Sequence, residues 1–198
     1  MGTIHPDRIL DNSKARVGDA LVLTKKIGTG ILGKGIKDRL CNDDVIKEVT
    51  ISMMTLNKKA SEIMLKVGVS TATDITGFGL IGHMHEVLSA SKCKARIYPD
   101  CIPFFEDAVR LVELQKVPGG TIANMKNYEP YVEWNKNVSE MTKILMNDAQ
   151  TSGGLLIFVP GDKKDRLITA LKKEGILAAY IGDVVSEEIE DNKRIFVE

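Results

Sequence analysis

The chain has 198 residues, 43% hydrophobic and 27% charged, which is the composition of a soluble globular protein of about one domain. Lys plus Arg and Asp plus Glu both number 27, so no overall positive field attracts nucleic acid or an anionic membrane. The longest apolar runs, such as residues 155–159, are far shorter than the roughly 20 residues that span a bilayer. We therefore expect neither nucleic acid nor membrane as a partner. The N-terminus has no basic start and no apolar core, which favours the cytoplasm.

The first half of the chain predicts two strands, a long helix between them and a second helix after a glycine turn. An apolar run over residues 20–24 predicts a buried strand. Apolar side chains at spacings of three and four over residues 43–67 predict an amphipathic helix, broken near residues 50–52. Residues 70–76 predict a second strand, and helical spacing resumes over residues 80–88.

The second half continues this alternation, with one long interruption. Residues 117–136 contain two prolines, three asparagines and few periodic apolar side chains, and they predict a long ordered loop. The other predictions are strands at 94–98, 154–159, 178–185 and 194–197, and helices at 104–114, 138–146 and 163–173. Together they indicate an α/β fold in a single domain over residues 1–198, with helices covering a mixed sheet.

The most informative stretch, residues 73–83, places an acidic residue before a glycine turn. In the predicted order Asp74 ends a strand, and Gly77 and Gly79 open a helix. A carboxylate at such a point can hold a hard cation, and bare backbone amides can contact phosphate oxygens. The stretch therefore predicts a magnesium ligand at Asp74 and nucleotide phosphate contacts at Thr76, Gly77 and Gly79. The alternative is a turn in which Asp74 only caps the backbone.

A second stretch, residues 147–156, packs short polar side chains and two glycines before an apolar strand. Such density can form an anion-binding loop or a domain contact, with Thr151, Ser152 and Gly153 as the phosphate-contacting candidates. An ordinary turn before a buried strand is the alternative.

A third stretch, residues 25–31, is another glycine turn, and its two lysines could face phosphate. It lacks the Gly-Lys-Ser/Thr ending of a P-loop, and a tight turn with a solvated charge pair is the alternative.

The remaining reactive side chains predict no site of their own. Cys41, Cys93 and Cys101 are odd in number and lack a Cys-x-x-Cys spacing, so we expect reduced cysteines without a nucleophilic role. His83 and His85 are two apart on a predicted helix and cannot share a face, which argues against a metal pair.

Taken in order, the three polar stretches resemble the C-terminal half of the selenophosphate synthetase (selenide, water dikinase) family. Thr-Asp-Ile-Thr-Gly-Phe-Gly followed later by Gln-Thr-Ser-Gly-Gly is a specific combination. The similarity covers nearly the whole chain, because it also runs through residues 5–8, 117–121 and 181–183.

The resemblance implies an enzyme that uses ATP and water to convert hydrogen selenide into selenophosphate, with AMP and phosphate as further products. It also implies the C-terminal domain fold of the aminoimidazole ribonucleotide synthetase superfamily, whose two domains enclose the nucleotide between them. In that family an aspartate in the position of Asp74 helps to bind magnesium, together with aspartates of the N-terminal domain.

The chain departs from the family pattern in one large respect, since the N-terminal ATP-binding domain is absent. That domain carries the reactive cysteine or selenocysteine and most of the ATP-binding carboxylates, so no catalytic residue is assigned here. We expect this chain alone to be inactive, and to need the N-terminal domain as its partner for binding Mg²⁺ and ATP. The family's dimer is built largely by the absent domain, which favours a monomer for this chain.

Two other functions fit the same residues. One is a different enzyme of the superfamily, such as a purine-biosynthesis synthetase or a thiamine phosphate kinase, although the Gln-Thr-Ser-Gly-Gly stretch favours the selenium enzyme. The other is a binding module without catalysis, whose glycine turns are only structural.

Overall fold

The computed structural model describes residues 9–186 and 192–198, and its framework is one mixed sheet. Its strands are β1 (Asp19–Leu23), β2 (Thr71–Asp74), β3 (Lys94–Ile97), β4 (Val132–Trp134), β5 (Leu155–Pro160), β6 (Ala179–Ser186) and β7 (Ile195–Val197). Their order across the sheet is β2-β5-β1-β6-β3-β7-β4. Neighbours from β2 to β3 are antiparallel, whereas β7 lies parallel to both β3 and β4. The similarity noted at residues 5–8 lies outside the described residues.

Helices cover both faces of this sheet. They are α1 (Thr29–Lys37), α2 (Asp43–Met54), α3 (Lys58–Val67), α4 (Gly79–Ser91), α5 (Glu106–Glu113), α6 (Gly119–Tyr128), α7 (Glu140–Met146) and α8 (Lys164–Lys173). The α/β fold with a mixed sheet, predicted from the alternation of elements, is confirmed. Among the described residues no helix is long and apolar enough to cross a membrane.

Strand β1 shows how the two layers form, because its side chains alternate between two separate cores. Leu21 and Leu23 pack in the core that contains α4, whereas Ala20 and Val22 pack in the core beneath α3 and α8. All four are at most 1% exposed, as expected of a central strand buried on both faces.

A third core lies between helices beside the sheet. Its buried side chains come from four helices and the residue before α5: Ile31, Leu32, Val45, Val49, Phe105, Ala108, Leu111, Val112 and Leu145. This small bundle holds α1 and α2 against α5 and α7, and so fixes the position of the turn that precedes α1.

Two predicted elements differ from the structure. The helix predicted over residues 43–67 is two helices, and the chain turns at Thr55, which has extended backbone angles, rather than near residues 50–52. The loop predicted over residues 117–136 contains α6 and β4. Helix α6 was missed because the side chains it buries, Thr121 and Asn124, are polar, so no apolar periodicity marks it.

Candidate functional site

The three polar stretches meet at one edge of the sheet. Strand β5 runs antiparallel to β1 and β2, so the ends of those two strands lie beside the start of β5. Asp74 pairs with Leu155, and Leu23 pairs with Leu156. We call this place the site edge, and it contains the turn before α1, the turn before α4 and the loop before β5.

The loop before β5 inserts a buried glutamine into the turn before α1. Gln150 Oε1 accepts hydrogen bonds from Gly28 N at 3.0 Å, from Thr29 N at 3.1 Å and from Thr29 Oγ1 at 3.1 Å. The first amides of a helix have no partner within the helix, and here a side chain from a distant segment supplies one.

Asp148 completes this cap from the same loop. Its Oδ2 accepts from Gly30 N at 3.0 Å and from Ile31 N at 3.2 Å, and its Oδ1 accepts from Thr121 Oγ1 at 2.8 Å. Burial raises the pKa of Asp148 to about 6, although these hydrogen bonds act in the opposite direction. The amides at the start of α1 are therefore occupied by the chain itself and are closed to a phosphate group.

Both lysines of the turn before α1 also form contacts within the chain. Lys25 Nζ donates to Thr55 O at 2.7 Å, to Ser52 O at 2.9 Å and to Ser152 O at 3.3 Å. It thus satisfies carbonyls at the C-terminal end of α2, where a cation is favourable, and partial burial lowers its pKa. Lys26 forms an ion pair with Glu48. Lys25 therefore holds the turn against the end of α2, whereas Lys26 lies in a surface ion pair.

The turn before α4 is open by contrast. Asp74, Gly77 and Phe78 are exposed, whereas Gly79, the first residue of α4, is buried and its amide donates to Thr76 O at 3.1 Å. A Cβ added at Gly77 would find no atom within 4 Å, so nothing in the fold requires glycine there. Small size at such a position allows another molecule to approach the backbone closely.

Thr76, between Asp74 and Gly77, is fixed through both its backbone and its side chain. Its carbonyl oxygen accepts from Gln150 N at 2.9 Å, which ties this turn to the loop before β5. Its hydroxyl lies 3.0 Å from His83 Nε2, and His83 Nδ1 lies 3.0 Å from Glu86 Oε2.

The three candidates in the loop before β5 are held within the fold. Thr151 is exposed, and its amide donates to Thr29 Oγ1 at 2.9 Å. Ser152 Oγ donates to Met53 O at 2.9 Å. Gly153 is buried, and a Cβ there would lie 2.1 Å from the carbonyl oxygen of Ile75.

Four polar residues that the sequence did not single out connect the site edge. They are Asp148 and Gln150, which cap α1, and Thr121 and Asn124, which lie on α6. Asn124 Nδ2 donates to Gly77 O at 2.9 Å and to Asn147 O at 3.1 Å, so it bridges the turn before α4 to the loop before β5. The density of polar side chains ahead of an apolar strand was the available signal for Asp148 and Gln150.

Metal binding at the site edge would rest on few ligands. Asp74 is an exposed carboxylate, a hard oxygen donor of the kind that suits Mg²⁺. The described residues contain no group of three or more His, Cys, Asp or Glu side chains that could hold a metal ion. The donors therefore fit part of a magnesium site, and further ligands would have to come from phosphates, water or another domain.

Large apolar side chains are exposed next to the site edge. Ile51, Met54 and Leu56 are 56%, 74% and 76% exposed, and they lie at the end of α2, where Lys25 binds. We call these three residues the apolar patch. A cavity of about 270 Å³ opens beside it and is lined by Lys25, Ile51, Leu56 and Ile176 among others.

A family model described as "AIR synthase related protein, C-terminal domain" matches residues 16–191. The chain belongs to this family. Among curated proteins, a selenide, water dikinase from Carboxydothermus hydrogenoformans is 41% identical over 187 residues. That alignment covers 94% of the chain and 54% of the relative, so the chain spans about half the length of that relative.

Solved structures with the same fold include a hydrogenase maturation protein and a kinase. Hydrogenase maturation protein HypE in complex with ATP aligns with a TM-score of 0.65 at 18% identity, over 92% of this chain and 47% of its own. Thiamine-monophosphate kinase from Stenotrophomonas maltophilia aligns with a TM-score of 0.67 at 14% identity, over 98% of this chain and 54% of its own. At these identities the likeness establishes the fold of this family member.

Proposed function

We propose that this chain is the C-terminal half of an enzyme that makes selenophosphate from hydrogen selenide, ATP and water. The support is its 41% identity with a selenide, water dikinase and the meeting of all three polar stretches at one edge of the sheet. The observation that carries the proposal is the open turn at Asp74, which exposes a carboxylate and a glycine directly before the start of a helix.

In this proposal Asp74 holds Mg²⁺, and the turn of Thr76, Gly77 and Gly79 contacts the nucleotide phosphates. A bound Mg²⁺ would neutralise phosphate charge, and this stabilises phosphoryl transfer. The chain's own contribution is orientation: Gln150 and Asn124 bind the carbonyls of Thr76 and Gly77 and keep the turn in place. In the loop before β5, Thr151 and Ser152 bond to Thr29 and Met53, and Gly153 packs against Ile75. Phosphate contact through the exposed Thr151 belongs to the proposal.

The natural partner in this proposal is an N-terminal domain that supplies the remaining ligands and the reactive group. The apolar patch favours such a partner, because large apolar side chains clustered on a surface mark protein contacts. One exposed carboxylate binds Mg²⁺ weakly, since useful affinity needs several ligands. We therefore expect the isolated chain to show no turnover. In this proposal the isolated chain is a monomer, and the activity of the whole enzyme resides in the cytoplasm.

The experiment is a turnover assay on the chain joined to an N-terminal domain of the family. We expect Asp74→Asn to lower AMP and selenophosphate release by at least about a hundredfold, since it removes a ligand to the charge-neutralising metal. Asp162→Asn is the matched control, because this exposed aspartate follows β5 at the opposite edge of the sheet.

Near-normal turnover in Asp74→Asn would contradict the magnesium role. Turnover that does not depend on selenide, but does depend on thiamine monophosphate or another acceptor, would contradict the substrate assignment and favour a different enzyme of the superfamily.

A further inference from the structure

The apolar patch lies on a segment that hydrogen bonds fasten to the loop before β5. Ser152 Oγ donates to Met53 O at 2.9 Å, and Asn57 Nδ2 donates to Gly153 O at 3.0 Å. Lys25 Nζ lies between the two segments and binds backbone carbonyls of both. The patch is therefore held in place before any partner arrives, which lowers the entropy cost of binding one.

The cavity beside the apolar patch suits an apolar group better than an anion. Its volume is about 270 Å³, and Ala60 and Phe105 are among the residues that line it. All three N–H groups of the Lys25 ammonium are directed at backbone carbonyls, and Glu48 pairs with Lys26. Exposed apolar side chains next to an apolar cavity are the arrangement found at the centre of protein interfaces.

Asp74 and the apolar patch lie on the same face of the sheet. Ala72 packs in the core beneath α3 and α8, and Asp74 shares its face because side chains two apart on a strand point the same way. Helix α3 begins at Lys58, two residues after Leu56, so the patch leads directly into a helix of that face. The carboxylate proposed for Mg²⁺ and the patch are therefore on one side of the sheet.

The path between Asp74 and the apolar patch is short. It runs through the bond from Ile75 N to Gly154 O, back two residues to Ser152, and through the bond from Ser152 Oγ to Met53 O. Even a straight path of this kind measures no more than about 30 Å. A standard interface covers about 800 Å² on each partner, an area roughly 30 Å across. A domain that encloses a nucleotide at Asp74 therefore reaches the patch as well.

We propose that the apolar patch and the cavity beside it form the docking surface for the N-terminal half of the enzyme, which inserts one of its own apolar side chains into the cavity. The alignment with the Carboxydothermus relative spans 54% of that protein, so a further part of similar size is available to cover the surface. The inference rests on the proposal that this chain is one half of a two-domain enzyme. It deepens that proposal by naming the surface and the chemistry of the contact.

The test follows the Met54 methyl group by NMR, in protein labelled at its methionine methyl groups and in the presence of a soluble nitroxide that broadens exposed signals. The Met54→Leu variant identifies the signal by its loss. In the isolated chain we expect strong broadening, because Met54 is 74% exposed. In the chain joined to an N-terminal domain of the family, with Mg²⁺ and ATP present, the broadening should fall to that of the fully buried Met84.

Val17→Met is the matched control, because it adds a methyl group at an exposed position before β1, at the opposite edge of the sheet. The broadening of this added signal should be the same in both proteins. Leu56→Asp should restore broadening of Met54 in the joined protein, since it brings a charge into an apolar contact. It should leave the free energy of unfolding of the isolated chain nearly unchanged, because Leu56 is 76% exposed there.

A Met54 signal that is broadened equally in the joined protein overturns the proposal. Protection that appears in the isolated chain and grows with its concentration also overturns it, because the surface then belongs to a contact with a second copy.

These outcomes are distinguishable from a failure of the proposed function. If the joined protein makes selenophosphate while Met54 stays broadened, the docking surface is wrong and the function stands. If Met54 is protected in a joined protein that makes no selenophosphate, the docking surface is supported and the substrate assignment fails.

Discussion

The two glycine turns at the site edge look alike in sequence. They differ in whether side chains of the protein already accept hydrogen bonds from the first amides of the helix that follows. Before α1, the chain's own Gln150 and Asp148 accept from four consecutive backbone amides, Gly28 to Ile31. Before α4, Gly79 N donates to the backbone oxygen of Thr76, and the turn leaves Asp74 and Gly77 exposed. A helix N-terminus is open to a ligand only if the protein has not already filled it.

The comparison also shows how one loop serves both turns. The loop before β5 closes the turn before α1 through its side chains, and it supports the turn before α4 through its backbone, with Gln150 N bound to Thr76 O. We call the turn before α1 the closed turn and the turn before α4 the open turn. We expect substitutions in the closed turn to lower stability, and substitutions in the open turn to impair function with little loss of stability.

The largest expected effect contrasts two glycines. A Cβ at Gly30 in the closed turn would lie 2.2 Å from the carbonyl oxygen of Ala149, so Gly30→Ala forces backbone to move and should lower the free energy of unfolding by about 3 kcal/mol. In Gly77→Ala the new methyl group meets open space, so the free energy of unfolding should change by less than about 0.5 kcal/mol. Urea unfolding followed by circular dichroism measures both. Equal losses would contradict the division into a closed and an open turn.

The next effect concerns the glutamine that closes the turn before α1. Gln150→Leu leaves three buried donors of Gly28 and Thr29 without an acceptor, and we expect a loss of about 2–3 kcal/mol in the same assay. Asn127→Leu replaces an exposed amide on α6 and provides the control. A stability loss no larger than in the control would mean that water fills the cap equally well.

A smaller effect is the pH dependence that Asp148 introduces. Its pKa is raised to about 6 in the folded state by burial, against an ordinary value of 3.8, so the folded chain takes up a proton before the unfolded chain does. The contribution of Asp148 to the free energy of unfolding should therefore rise by about 1 kcal/mol as the pH falls from about 7 to about 5.

Asp148→Asn keeps an oxygen for the amides of α1 and removes the titration, so the stability of the wild type relative to the variant should rise by about 1 kcal/mol as the pH falls across this range. If the wild type instead loses stability relative to Asp148→Asn as the pH falls, the hydrogen bonds outweigh burial and the pKa is lowered.

The smallest effect on stability is expected at Asp74. The side chain is exposed at the end of an edge strand, so Asp74→Asn should change the free energy of unfolding by less than about 0.5 kcal/mol. A loss well above this value would indicate that Asp74 caps the backbone, which was the structural alternative raised by the sequence.

Much of this architecture could be predicted from the sequence because apolar periodicity marks it directly. The strands over residues 20–24 and 154–159 and the glycine-opened helix α4 follow from that pattern. Helix α6 does not, since it buries Thr121 and Asn124 against Asp148 and Asn147. Its partners are distant in sequence, and only the fold brings them together.

The candidate site was predictable as a set of segments, and the division of roles within it was not. Glycines, lysines and short polar residues mark both turns equally. Which amides are free depends on the path of the loop before β5, which pairs Gln150 with Gly28 across 122 positions of sequence. From the sequence Lys25 could likewise face phosphate or solvent, and only the position of the C-terminal end of α2 shows that it binds carbonyls instead.

The most direct test of the account is titration calorimetry of Mg²⁺ and ATP into the chain, alone and mixed with a purified N-terminal domain of the same family. We predict binding that is tight only in the mixture and is lost in Asp74→Asn, while Asp162→Asn retains it. Tight binding to the chain alone, or binding in the mixture that survives Asp74→Asn, would contradict the claim that the open turn is one half of a shared nucleotide site.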